Sequence, residues 1–149
     1  MTDIRALNPD DHALWLPLWQ AYLTFYEAEL PADVTQTTWQ RLLDPAEPMH
    51  GALAFDEGGQ AVGFAHWLFH RSTWWVGDVC YLNDLFVDAS QRGRGLGQAL
   101  IAHVAADATA KGSPKVYWLT HETNLTAQRL YNGVAERTGF IQYRKPLQP

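Results

Sequence analysis

Residues 79–100 read VCYLNDLFVDASQRGRGLGQAL, and the fold turns on this stretch. Val79 to Val87 is rich in apolar, β-branched and aromatic residues, which predicts a long strand. Asp88 to Gly97 is polar and glycine-rich, and so predicts a loop. Leu96, Leu100, Ile101, Val104, Ala105 and Ala108 then recur at three- and four-residue steps. That spacing predicts a helix that stops at Gly112, with Pro114 beyond it. A glycine loop opening a helix offers unpaired backbone amides and the positive end of the helix dipole at one point. Gly93, Gly95 and Gly97 let the backbone approach a ligand closely. Such a loop suits phosphate oxygens.

Two familiar phosphate-binding patterns do not fit. A Walker-type loop ends in Gly-Lys-Ser/Thr, whereas this one ends Gly97-Gln98-Ala99. A dinucleotide fingerprint needs its third glycine where Gln98 stands, and follows the first strand of a parallel unit rather than a mid-chain strand run. A glycine-rich turn with no ligand remains the plain alternative at this point.

Working outward, Asp3 to Leu7 reads as a strand, and Asn8 to Asp11 as a turn and cap, with Pro9 suited to a helix start. From His12 to about Glu29 the run of Leu14, Trp15, Leu18, Trp19, Tyr22, Leu23 and Tyr26 predicts an amphipathic helix. A shorter helix follows from Thr35 to Leu43. Gly51 to Phe55 and Ala61 to Phe69 read as strands joined by a turn. Beyond the central helix come a strand over Lys115 to His121, a helix capped by Thr123 or Asn124 and ending near Gly139, and a last strand over Phe140 to Arg144. The order predicts an α/β (α+β) chain with a mixed sheet, forming one domain over residues 1–149.

Composition narrows the function. Apolar residues make up 47% of the chain and charged ones 18%, with a net charge of −5, which excludes a disordered chain. No cluster of Lys and Arg stands out, so neither nucleic acid nor a membrane surface is expected as a partner. Cys80 is the sole cysteine, which rules out an internal disulfide or a cysteine-rich zinc site, and no metal is expected. The N-terminus lacks a signal-peptide pattern and no run reaches the ~20 apolar residues of a membrane span, so a cytoplasmic location is expected. Of the seven tryptophans, most should be core anchors, with one or two available to wall a slot for a cationic substrate.

Arg92-Gly93-Arg94-Gly95-Leu96-Gly97 resembles the Gln/Arg-x-x-Gly-x-Gly/Ala motif of the GNAT superfamily of N-acetyltransferases. Upstream, Tyr81 to Val87 resembles that family's central strand. Downstream, Asn124-x-x-Ala127-x-x-Leu130-Tyr131 and Gly139-Phe140 resemble its later helix and closing strand. The resemblance covers roughly Val79 to Arg144 and is nearest to polyamine, small-amine and histone-type members. It implies a mixed, mostly antiparallel central sheet flanked by helices, with acetyl-CoA as cofactor. It also implies acetyl transfer to the primary amine of a small molecule or polyamine. A protein lysine or N-terminal acetyltransferase and a non-catalytic acyl-CoA-binding module are the alternatives. Family members are often dimers, so a homodimer is a further expectation.

By the same resemblance, backbone groups of Leu85, Phe86 and Val87 would pair with the pantetheine arm as an added strand. Amides from Arg92 through Gly93, Arg94, Gly95, Leu96 and Gly97 to Gln98 would hold the pyrophosphate, and Asn124 would contact the cofactor. Tyr131 occupies the family's general-acid position, and a phenol is protonated at neutral pH. The base stays open. Polyamine-type members carry a carboxylate where this chain has Asn83, which cannot accept a proton. Asp84 is adjacent, but strand alternation points it to the other face unless a bulge intervenes. His121 is a rival, as is a water chain leading to Glu27 or Glu29. Cys80 has no sequence-near activating partner, so direct transfer in a ternary complex is expected over an acyl-enzyme. The first helices would supply an aromatic and acidic acceptor side through Tyr22, Tyr26, Glu27, Glu29, Asp33 and Trp39, with Asn83 of the central strand also facing the substrate.

Overall fold

Apolar alternation in the middle of the chain becomes sheet. The computed structural model describes residues 3–147. It contains strands β1 (Asp3–Ala6), β2 (Met49–Phe55), β3 (Ala61–His70), β4 (Val79–Val87) and β5 (Val116–Tyr117). The helices are α1 (His12–Phe25), α2 (Ala32–Leu43), α3 (Leu96–Ala110) and α4 (Leu125–Val134). The five strands form one sheet in chain order. β1 to β4 pair antiparallel, and β5 lies parallel to β4 after the crossover through α3. The expected mixed, mostly antiparallel sheet flanked by helices is therefore the observed one. Contacts divide the chain into two compact units, Met1–Leu119 and Thr120–Pro149.

In the first unit the sheet buries both faces. Trp15, Leu18 and Trp19 of α1 form one core with Leu42 of α2 and Leu53, Phe55, Phe64 and Phe86 of the sheet. Leu100, Ile101, Val104 and Ala108 of α3 are buried as well. β3 shows the division of faces residue by residue. His66 hydrogen-bonds Trp15 of α1, while the next residue, Trp67, donates its indole N–H to Asp107 of α3. Gly63 is required here, because a Cβ would sit 2.8 Å from the Phe86 carbonyl oxygen across the ladder. At the joint between β1 and α1, Arg5 grips Asp11 through two hydrogen bonds of 2.7 and 2.8 Å, and Asp11 also accepts from the Asn8 amide. The Arg5 hydrogen bond leads in holding the Asp11 carboxyl below its ordinary value.

The ends of elements depart from expectation for local reasons. α1 stops at Phe25 rather than near Glu29. Ala28 N–H bonds the Leu23 carbonyl and Glu27 N–H the Thr24 carbonyl, with Glu27 at φ 53°, which is a Schellman cap built without glycine. The expected strand over Lys115 to His121 shrinks to Val116–Tyr117, because only those two residues pair with β4. In the second unit, Asn124 caps α4 through a 3.2 Å bond from the Ala127 amide. That helix ends at Val134 rather than near Gly139 because Ala135 is extended. The expected strand over Phe140 to Arg144 is not formed: Phe140, Ile141 and Tyr143 are 90%, 77% and 91% exposed. Phe140 and Ile141 are consecutive and would face opposite sides of a sheet, and the five paired strands do not include the segment. No helix among the described residues is long and apolar enough to cross a membrane.

Candidate active site

The site begins with an irregularity in β4. His66 pairs with Asp84, but the next residue, Trp67, pairs with Leu82, which leaves Asn83 as an extra residue. That bulge breaks the alternation. Asp84 thereby joins His66 on the α1 side, together with Phe86, the partner of Phe64. Cys80 pairs with Phe69, two residues along from Trp67 on the α3 side of the sheet. Cys80 is fully buried, and burial leads in pushing its thiol up to about 12.

Asp84 is held by donors from two elements. The Tyr22 hydroxyl donates to Oδ1 at 2.8 Å, and His66 Nδ1 lies 2.9 Å from Oδ2. Asn83 Nδ2 adds a longer contact of 3.3 Å to Oδ1. The carboxylate side chain is 14% exposed, so a small group can still reach it. Burial first, and then the charge and hydrogen bond of Asp84, push the Tyr22 hydroxyl above the ordinary phenol range, so it stays a donor. Tyr26, edge-on to Tyr22 at 5.0 Å, is raised by burial and by Asp84 in turn.

Beside Asp84 lie a bare strand edge and a loop. β5 pairs only with Cys80 and Tyr81. From Leu82 to Val87 the outer edge of β4 therefore carries no strand among the described residues, and Leu85, Phe86 and Val87 lie on that edge. The chain then turns through Asp88, whose carboxylate accepts from the Ser90 amide and hydroxyl. Gly93 and Gly95 stand at φ 81° and 79°, with open space where a side chain would be. Only glycine takes that conformation without strain, and it turns the chain into α3 at Leu96. No side chain caps this helix, so its first amides remain available to an anion. Arg92 is pinned beside the loop. Its Nε donates to the Val87 carbonyl, and its guanidinium lies over Phe25 at 5.1 Å and Phe86 at 6.0 Å. Arg94 and Gln98 are exposed.

The structure thus brings Tyr22, Tyr26, Asn83, Asp84, Phe86 and Arg92 into one neighbourhood. Trp39 is elsewhere, packed on Trp15 at 4.9 Å and His12 at 5.2 Å. Glu27 and Glu29 are exposed in the turn after α1, and Asp33 is exposed in the first turn of α2. In the second unit, Tyr131 is half-buried on α4. His121 does not end a strand. It belongs to the cap turn of α4, where its Nδ1 meets the Thr123 hydroxyl at 2.7 Å. Sequence reasoning missed His66, a histidine inside the apolar run GFAHWLF. The available signal was a polar residue at an inward position, which burial obliges to find a partner. Among the described residues no group of three or more His, Cys, Asp or Glu is placed to hold a metal.

Comparison with known proteins fits this geometry. The model of the acetyltransferase (GNAT) family matches residues 15–134. The chain is 42% identical over 143 residues to the D-amino-acid N-acetyltransferase HPA3 of Saccharomyces cerevisiae, covering 95% of this chain and 89% of the yeast protein. It is 31% identical over 93 residues to the thialysine N-epsilon-acetyltransferase of Mus musculus, covering 59% of this chain and 54% of that protein. Among solved structures, AAC(6')-Iy in complex with the bisubstrate analog CoA-S-monomethyl-acetylneamine aligns at a TM-score of 0.83 and 26% identity over 99% of both chains. The chain belongs to the acetyltransferase (GNAT) family and is an N-acetyltransferase.

Proposed function

We propose that this enzyme moves an acetyl group from acetyl-CoA directly onto the primary amine of a small molecule, with Asp84 as the base. The observation that carries the reading is the bulge at Asn83, which turns the Asp84 carboxylate onto the α1 side of β4, close to the strand's bare outer edge. The residues present suit the cofactor. Leu85, Phe86 and Val87 would bind an extended pantetheine arm through their backbone, and the amides from Arg92 to Gln98 would hold its pyrophosphate. When bound, acetyl-CoA supplies an activated thioester carbonyl. Asp84 takes the proton that an acceptor ammonium must lose, which frees the nitrogen lone pair for attack. An amide near Val87 draws charge onto the carbonyl oxygen. The departing sulfur would need a proton, the role that the resemblance gives to Tyr131, and the acylated nitrogen would release its second proton to solvent.

The acceptor side is aromatic and acidic, through Tyr22, Tyr26 and the exposed Glu27 and Glu29, which suits a cationic amine. The yeast relative named for D-amino acids and AAC(6')-Iy, named an aminoglycoside N-acetyltransferase, support a small-molecule acceptor, with polyamines in the same chemical class. The opposite-face placement and raised thiol of Cys80 favour direct attack over an acyl-enzyme. We also read the enzyme as a homodimer, supported by the exposed apolar residues between Phe140 and Leu147.

An amine panel tests the reading. D- and L-amino acids, polyamines, aminoglycosides and lysine peptides are offered with acetyl-CoA, and turnover is expected on the small amines. Asp84→Asn should lower kcat by about 10²- to 10⁴-fold, the usual contribution of a positioned base, while acetyl-CoA binding measured by calorimetry holds. Turnover on peptides alone, or full activity in Asp84→Asn, would refute it.

A further inference from the structure

The Asp84 network does not end at His66. Trp15 Nε1 lies 2.9 Å from His66 Nε2, on the far side of the imidazole from Asp84. We propose that Trp15 and His66 are positioning residues that lock one tautomer of His66 and so aim a fixed, neutral N–H donor at Asp84. This rests on the reading of Asp84 as base.

The argument is one of donor and acceptor counting. An indole N–H can only donate, so His66 Nε2 must be the acceptor and carries no hydrogen. An imidazole keeps at least one N–H, which leaves Nδ1 to carry it. Nδ1–H therefore donates to Oδ2 of Asp84, and Asp84 accepts as a carboxylate. A second proton on His66 would set two N–H groups against each other across 2.9 Å. The histidine is thus held neutral, and its contact with Asp84 is a hydrogen bond rather than an ion pair. The surroundings leave little alternative: Trp15 is fully buried, His66 is 3% exposed, and the rings of Trp15, Trp19 and Phe64 enclose it.

A neutral donor has a particular merit beside a base. It fixes the carboxylate's orientation without cancelling the charge that attracts an ammonium. The titratable groups facing Asp84 are His66 on β3, Tyr22 and Tyr26 at the end of α1, and Tyr81 on β4. Asp84 is the titratable group bonded to His66. Tyr22 and the locked His66 both donate to Asp84, which leaves the carboxylate as the acceptor for the substrate's proton.

Nitrogen-15 NMR of the imidazole in the full-length protein tests the lock directly. His66 should show Nδ1–H with a bare Nε2, unchanged from about pH 5.5 to about pH 8, where an ordinary histidine gains charge. An Nε2–H tautomer, or uptake of a second proton in that range, would rule the lock out. In Trp15→Phe the restraint is gone and uptake should appear; continued silence there would also count against the lock.

The effect on Asp84 is read from kcat/KM against pH. His66→Leu removes the donor, so the acid limb should move up by about one pH unit with kcat lowered ~10-fold and the KM for acetyl-CoA unchanged. In His66→Asn the amide can stand in for Nδ1, and the limb should return toward wild type. Equal behaviour of the two variants, or no movement in either, would overturn the positioning role. Full activity in Asp84→Asn would instead remove the base assignment, while the NMR pattern of His66, which needs no turnover, would stand or fall by itself.

Discussion

Asn83 and Asp84 are adjacent and chemically similar in size, yet only one carries an acidic oxygen, and the backbone decides which face it meets. Cys80 shows the opposite outcome. It lies three residues before Asn83 in the same strand, but it is buried on the far face among apolar side chains, with its thiol raised to about 12 by burial. Cys80→Ala should therefore keep turnover while costing about 1 kcal/mol of stability, as a small core truncation does. The pH dependence separates packing from chemistry. A thiol whose proton affinity rises on folding lends stability that is whole below its unfolded value of about 8.5 and drains away as pH climbs toward the folded one. Urea unfolding should show native stability falling between about pH 8.5 and about 10, below the range of the tyrosines, and Cys80→Ala should flatten that slope. Loss of most activity in a folded Cys80→Ala protein would revive an acyl-enzyme route.

At the scale of elements, the Schellman cap of α1 sets up a conflict between stability and site. Glu27 is the one non-glycine residue with positive φ among the described residues, at 53°, where a side chain costs roughly 1–2 kcal/mol. Glu27→Gly should raise the unfolding free energy by about 1 kcal/mol, measured by urea melts. If Glu27 also attracts the acceptor amine, the same variant should raise the acceptor KM while sparing that of acetyl-CoA; stabilisation with unchanged KM would make the residue a cap alone. The same elements show what a single chain reveals of itself. The strand, glycine loop and helix from Val79 to Ala110 could be read because each signal is local: strand composition, backbone freedom at Gly93 and Gly95, and a three-to-four spacing. The bulge at Asn83 could not, because it is a matter of register between β3 and β4, and register depends on a partner strand far away in sequence. Asp84 was accordingly visible as a candidate, with its orientation undecided. His66 was invisible as a partner for the same reason. The segment from Phe140 to Arg144 was misread the other way, since strand-like composition makes a strand only where an edge supplies hydrogen bonds.

At the scale of the whole molecule, the distribution of apolar surface argues for association. Phe140, Ile141, Tyr143 and Leu147 are each at least 77% exposed, and they cluster within eight residues of the second unit. Monomers seldom leave such a run open to water. A second copy of the chain could cover the side chains, against a net charge of −5 on each molecule that opposes close approach only weakly at physiological salt. Sedimentation velocity at micromolar concentration should therefore give a dimer. Replacing Phe140 and Tyr143 together with lysine should return a monomer, because two cations would have to be buried in the contact. Since those side chains face solvent at 90% and 91% exposure, the variant monomer should melt no earlier than the wild type does at high dilution. A wild-type protein that stays monomeric at tens of micromolar would dispose of the dimer. A variant that unfolds early instead would mean that the two rings pack within their own chain.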